Sequence, residues 1–282
     1  MNRSPAFLIF ALVAMLPTTP APARAGFPGE IPDRFQLQLG GTISNIDTYA
    51  GLSTATGGAG AIVVFEDLFN LPISKHYLEA EGSWKFGGRH YVDAGYLDIS
   101  RDANRQIDQN VQFGRFTFQA GAVVESSFRT RFVYAAYRYD LVQLEPIRLS
   151  ASAGITATHL SASLEAAGGV VDENGQPVSG RASAEGKLDL PVPLFGLQMD
   201  WAVTKHSVLR SYTRLVGVDL KDIRGGMAQS AFQYHYYVLR NVAIGGGYER
   251  INVSLPRYRT DDYTFRSGYS VQGLSFFLRG AY

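Results

Sequence analysis

The chain has 282 residues, no Cys, and 26 Lys and Arg against 25 Asp and Glu, a formal net charge of +1. So even a balance gives no electrostatic footprint for nucleic acid, and the lack of Cys excludes disulfides, thiolate metal sites and Cys nucleophiles. Charged residues are only 18% while Gly, Tyr and Phe number 30, 16 and 17, the profile of an aromatic-rich, alternating barrel rather than a water-soluble sandwich.

The chain opens as an export signal. Asn2-Arg3 is a positive start, residues 7–16 (FLIFALVAML) are an apolar run, and Ala23-Arg24-Ala25 before Gly26 is a small-x-small cleavage pattern. This run is too short to span a bilayer, which takes about 20 residues. Residues 1–25 are expected to be a cleaved signal peptide, and 26–282 one mature domain.

Beyond it the dominant period is two, so strands are expected. Ten are predicted, at 35–46, 77–86, 90–100, 128–141, 148–163, 194–203, 208–219, 228–239, 242–253 and 271–282. In chain order, the first sets Phe35, Leu37, Leu39, Gly41 and Ile43 against Gln36, Gln38, Thr42 and Ser44. The second sets Leu78, Ala80, Gly82, Trp84 and Phe86 against Glu79, Glu81, Ser83 and Lys85, and Gly87-Gly88 turns it into the third, where Val92, Ala94 and Tyr96 oppose Asp93 and Gly95. In the fourth, Val133, Ala135, Tyr137, Tyr139 and Leu141 face away from Tyr134, Arg138 and Asp140. Past Glu145-Pro146, the fifth alternates Leu149, Ala151, Ala153, Ile155 and Ala157 with Ser150, Ser152, Gly154 and Thr156. Leu197, Met199, Trp201 and Val203 oppose Gln198 and Asp200 in the sixth; Leu209, Thr213 and Leu215 oppose Arg210, Tyr212 and Arg214 in the seventh. The eighth sets Phe232, Tyr234, Tyr236 and Val238 against Gln229, Gln233 and His235. A tight hairpin at Arg240-Asn241 gives the ninth, with Val242, Ile244 and Tyr248 opposite Gly245, Gly247 and Glu249.

Short turns at 87–88, 142–146, 204–207 and 240–241 alternate with longer polar segments at 49–75, 101–126, 165–192, 220–227 and 254–268. Short turns on one side and long loops on the other are the asymmetry of outer-membrane barrels, and they put both termini on the short-turn side. Residues 61–66 and 112–119 are also strand-like, as loop extensions, inward-folded pieces or an extra strand pair. Eight and twelve strands are the alternatives to ten.

The faces opposite the apolar stripes carry the acids Glu79, Glu81, Asp93, Asp140, Asp200 and Glu249 and the bases Lys85, Arg138, Arg210, Arg214 and Arg279, with His235 among them. Such balance predicts a lumen filled by ion pairs and hydrogen bonds. A lone charge on the lipid side would cost about 2–4 kcal/mol near the midplane. Trp84, Phe86, Tyr137, Tyr139, Trp201 and Tyr282 gather toward the short turns, as an interfacial girdle would.

In the last predicted strand Leu274, Phe276, Leu278, Gly280 and Tyr282 alternate to the final residue, an aromatic. This ending resembles the signal read by the barrel-assembly machinery, with Gly273, Phe276, Leu278 and Tyr282 at matching positions and Val271 where a polar residue is usual. The stretch Trp84-Lys85-Phe86-Gly87-Gly88-Arg89-His90-Tyr91-Val92-Asp93, running on to Arg101, resembles small proteobacterial outer-membrane barrels of the OmpA/OmpW-like kind, a group with many members of unassigned function. The resemblance implies the fold, the outer membrane of a Gram-negative bacterium, contact with outer-membrane lipid, and periplasmic chaperones and the assembly machinery as partners in biogenesis. It implies no activity and no cofactor.

Signatures of chemistry are sparse. Gly-x-Ser-x-Gly, His-Glu-x-x-His and P-loop patterns are absent. Gly245-Gly246-Gly247 lies within a strand and reads as room for bulky lumen side chains. His76, His90, His159, His206 and His235 are dispersed, without metal-ligand spacing. His159-Leu160-Ser161, followed by Glu165, sets a His, a hydroxyl and an acid near the outer end of one strand. It is similar to the His-x-Ser motif that lipid A deacylases carry on a barrel's outer wall, with Ala162 where that family has Asn. The Asp-x-His pairing of ten-stranded outer-membrane proteases is absent, and Asp261-Asp262 reads as a solvated loop tip. The expectation is a non-enzymatic barrel with a filled lumen, in a structural, adhesive or small-solute-binding role, its long loops the surface for a partner. A narrow solute channel and a lipid-modifying enzyme using His159 and Ser161 are the alternatives.

Overall fold

A computed structural model describes residues 34–54, 62–219, 223–259 and 263–282. The predicted signal peptide and the Asp261-Asp262 tip lie outside the described residues. Ten long strands form one antiparallel sheet: β1 (Phe35–Thr54), β3 (Ser74–Lys85), β4 (His90–Gln106), β7 (Val123–Leu144), β8 (Ile147–Ala166), β10 (Ala182–Thr204), β11 (Ser207–Asp219), β12 (Ile223–Leu239), β13 (Val242–Arg259) and β14 (Tyr263–Ala281). Consecutive long strands are neighbours, and β14 returns to β1 from Gln36↔Ala281 to Thr54↔Tyr263, closing the barrel. The connections hold β2 (Val63–Val64), the short helix α1 (Phe65–Phe69), β5 (Val111–Phe113), β6 (Phe116–Phe118) and β9 (Val170–Val171).

The strands run further than predicted, and the reason is a change of phase. Near the short turns each strand points apolar residues outward: Leu39 is 54% exposed, Ile155 62% and Phe195 60%. Partway along, the faces exchange. In β8, Leu149 to Ala157 face outward opposite Ser150 and Thr156; beyond them His159, Ser161, Ser163 and Glu165 face outward, while Leu160, Ala162 and Leu164 are buried. β7 exchanges between Val133 and Arg131, β14 between Leu274 and Gln272, and β1 between Ile43 and Asn45. A wall apolar outside and polar inside suits lipid; the reverse suits water around an apolar core. The exchange therefore marks the level at which the barrel leaves the membrane.

Below that level the outward run on β1 is Phe35–Ile43, about 20–25 Å of height at the usual strand rise and tilt. The whole of β1 is 20 residues, so the barrel projects on the order of 25 Å further. The segments 49–54, 101–106, 182–192 and 254–259, expected as loop, are strand. Pro191 and Pro193 lie within β10. β10 pairs with β8 from Ala182 but with β11 only from Leu194, so both prolines sit where one edge is free and a missing N–H is tolerated.

The projecting half is closed by its own loops. Of the strand-like stretches 61–66 and 112–119, the described residues 62–66 and 112–119 are inward-folded pieces. β2 pairs with β1 at Tyr49 and Ala50, where β3 has ended. α1 tucks Phe65 and Phe69 inside, and its C-terminal Asn70 takes the left-handed conformation (φ 54°). The β5–β6 hairpin crosses the mouth, so that the Gly114 N–H donates to the Leu52 carbonyl at 3.0 Å, and β6 pairs with β9. Phe65, Phe69, Phe113, Phe118 and Phe265 are all fully buried there.

Candidate functional site

The lumen below the exchange level is a packed polar network. Arg138 grips Asp93 with Nε at 2.6 Å and Nη2 at 3.2 Å, also donates to Ser83, and stacks 3.9 Å from the Tyr91 ring centroid. Its Nη1 lies 3.5 Å from Asp140, which also accepts from Ser150 and Gln143. Arg210 holds Asp200 at 2.6 and 3.3 Å. Arg214 meets Glu81 at 2.5 Å and Gln229 at 3.3 Å, its guanidinium over the rings of Tyr134 and Tyr212. Tyr134 donates to Glu81; Gln229 and Tyr77 donate to Glu249. Arg279, beside the β1–β14 seam, donates to Gln38 at 3.1 and 2.7 Å. Lys85 lies 5.5 Å from the Tyr91 ring near the short-turn mouth. Glu79 lines two small interior cavities with Gln229 and Gln233.

One base in this network escaped the sequence count. Arg148 reaches Asp140 at 3.4 Å and donates to the Tyr91 hydroxyl at 2.9 Å. It shares the parity of Ser150, so the alternation that exposed the other five bases would have found it. Adding it matches six interior acids with six bases. His235 lies within the network without joining it: it is fully buried, 4.6 Å from the Phe277 ring, and among the described residues neither ring nitrogen has a hydrogen-bond partner. Gly245 makes room for that same Phe277, whose ring would clash with a Cβ there.

Little space remains. The cavity between Glu81, Asp93, Arg138, Arg210 and Arg279 holds about 20 Å³, as does one bounded by Glu79, Phe132 and Ile251. Each has room for about one water. Above them the apolar plug contains one buried ion pair: Arg101 bonds Glu66 of α1 at 2.6 Å, the Pro72 carbonyl at 3.3 Å and the Thr48 hydroxyl. It ties the inserted helix to two walls of the barrel. Sequence reasoning missed it because Glu66 and Arg101 both fell in segments read as loop.

The outer rim separates the predicted His–Ser–acid set. His159 Nδ1 lies 2.5 Å from Asp189 on β10, while Glu165 pairs with Arg181 at 2.9 Å. Ser161 faces outward beside Arg129 and Lys187 on the neighbouring strands. The acid at His159 is therefore Asp189 and not Glu165. Among the described residues no three of His, Cys, Asp and Glu converge as a metal site would need. At the other end, Trp84, Phe86, His90, Tyr137 and Tyr139 form a chain of ring contacts 5.1–6.4 Å apart on the outward face. Gly273, Phe276 and Leu278 lie in β14 against β1, with Phe276 and Leu278 outward and exposed, and Tyr282 follows the strand's end.

Neither a protein-family model nor a curated protein matches the chain. Among solved structures it is similar to the outer membrane protease OmpT from Escherichia coli, with a TM-score of 0.52 and 14% identity over 89% of this chain and 97% of that one. It also resembles the outer membrane protein OprG from Pseudomonas aeruginosa (TM-score 0.40, 7% identity, 90% and 99% covered). A third likeness is to Ail, the attachment invasion locus protein of Yersinia pestis (0.35, 9%, 86% and 99%). At such identity the likeness to OmpT shows the fold, that of a small outer-membrane β-barrel, and assigns the chain to no family.

Proposed function

We propose that this chain is an integral outer-membrane protein whose closed, filled barrel anchors a rigid external platform, in a structural or adhesive role. The observation that carries this reading is the filling of the lumen from end to end: ion pairs below, an aromatic plug above, and cavities of about 20 Å³ between. A barrel packed in this way holds its shape without conducting. The projecting wall then presents outward polar strand faces and loop tips to the cell's surroundings. Residues 1–25 supply export in this reading. The final strand with Gly273, Phe276, Leu278 and Tyr282 supplies the mark read by the assembly machinery after delivery by periplasmic chaperones.

Two measurements test it. Membrane-extracted protein is expected to migrate as a compact form on gels until boiled. In planar bilayers it is expected to show no stable conductance steps. Sustained steps would replace the closed barrel with a narrow solute channel, and protein found soluble in the periplasm with no shift on boiling would remove the membrane location.

A further inference from the structure

The first two outward rows above the exchange level carry a cluster of cations. Arg129 and Arg131 of β7 point outward, 43% and 40% exposed at their side chains. A single carboxylate aims both: Asp98 of β4 accepts from Arg129 Nε at 3.1 Å and Nη2 at 2.8 Å, and from Arg131 Nε at 3.2 Å. The Arg129 guanidinium beside it holds the Asp98 carboxyl down at about 2. Among the described residues, Arg129 Nη1 and both Nη atoms of Arg131 have no protein acceptor. Across the sheet Arg129 is in register with Ser161 and then Lys187, a third cation about 10 Å away at the usual strand spacing. In the two rows that hold these cations the outward acids are Asp98 and Asp189, two against three; one row further out stand Asp102, which also faces Arg129, and Glu185.

Directly below lies a groove of about 660 Å³ in the outer wall. Its sides are Ile43, Leu78, Tyr96 and Phe276, and Gly41 leaves it open where a side chain would stand. Leu78 is 78% exposed within it. His76 and Arg129 close the upper end. One surface is thus apolar over the depth of acyl chains and cationic at the depth of headgroups.

We propose that this groove and the Arg129–Arg131 pair above it bind a phosphorylated lipid of the outer leaflet. Its acyl chain lies along Ile43, Leu78 and Phe276, and its phosphate rests on the two guanidiniums. This rests on the outer-membrane reading above. Planar guanidinium forks match phosphate oxygens two at a time, and Asp98 has already fixed their direction. A soluble anion would use the arginines and leave the apolar groove idle, whereas a lipid uses both.

The test titrates full-length protein, purified from membranes in mild detergent, with lipid A bisphosphate, with the same lipid dephosphorylated, and with inorganic phosphate, read by native mass spectrometry. The phosphorylated lipid is expected to bind about tenfold or more tightly than the dephosphorylated one. R129Q/R131Q is expected to lose that preference, while R181Q, a rim arginine bound to Glu125 and Glu165, keeps it. If the double variant lacks the compact gel form, R129Q and R131Q singly are expected to lose about threefold each. Equal binding of the two lipids by the wild type overturns the site. So does a preference that survives these substitutions, or inorganic phosphate binding as tightly as the lipid. Wild-type protein without a compact, membrane-extracted form fails the outer-membrane reading instead, whereas a compact form with no phosphate preference fails this site alone.

Discussion

The two halves of the barrel solve one packing problem in opposite ways. Below the exchange level the wall is apolar outside, and the interior is held by directional contacts such as Arg138–Asp93, Arg210–Asp200 and Arg214–Glu81. Above it the wall is polar outside, and the interior is an ordinary hydrophobic core of Phe65, Phe69, Phe128, Leu160 and Phe265. The same ten strands run through both. What differs is the solvent, and the side chains follow it: the hydrophobic effect organises whichever face water does not touch.

The external half should break by loss of volume. Phe65→Ala with Phe69→Ala removes two fully buried rings, each worth about 3–5 kcal/mol. Protease cleavage of the projecting half in intact vesicles should rise sharply while the gel-compact barrel persists. An unchanged digestion pattern would mean that the two halves do not have separate cores. Arg101→Met comes next. It leaves Glu66 the Thr48 N–H as donor at 2.8 Å but no counter-charge in an apolar surround, at about 3–5 kcal/mol, and Arg101→Met with Glu66→Met should recover most of the loss in urea unfolding. Arg214→Met sharpens the contrast, since Glu81 keeps both the Tyr134 donor at 2.9 Å and other arginines, Arg138 and Arg210, around the same cavity. Its cost should sit at or below the low end of that range, about 3 kcal/mol, and a cost above that of Arg101→Met would reverse the comparison. Gly245→Ala drives a methyl into Phe277 and the Tyr234 carbonyl, and a loss of about 1–3 kcal/mol is expected in the same unfolding assay.

The smallest effect is on pH. Asp98 titrates at about 2 when folded, below its unfolded value of about 3.9. Its contribution is therefore complete above pH 4 and is lost as pH falls through 2. With Arg129 and Arg131 both partly exposed, it amounts to about 1 kcal/mol or less. Between pH 4 and 2 the unfolding midpoint of the wild type should fall more steeply than that of Asp98→Asn, and parallel curves would show that the pair contributes nothing.

Alternation makes the ten strands, their parity and the inward charges legible in the sequence alone. It fails where its phase changes. Leu149 to Ala157 share one apolar face, His159 and Ser161 follow on it, and the predicted strand stops at 163, although the period of two continues to Ala166. Asp189 went unseen as the partner of His159 for the same reason, because 165–192 looked like loop. Glu66 and Arg101 were beyond reach in another way: their meeting depends on α1 folding back into the mouth, and no local pattern specifies that return.

The seam between β1 and β14 has a kinetic meaning. Gln36 and Ala281 meet although 245 positions separate them, so the contact that closes the wall is also among the most distant along the chain. Loops of that size close slowly and gain nothing until the ends have met. Until the last strand is in place, β1 and β13 each present an open edge to any other chain. The wall is therefore closed only when β14 has docked on both β1 and β13, and a chain lacking β14 is left with the two edges most prone to aggregate.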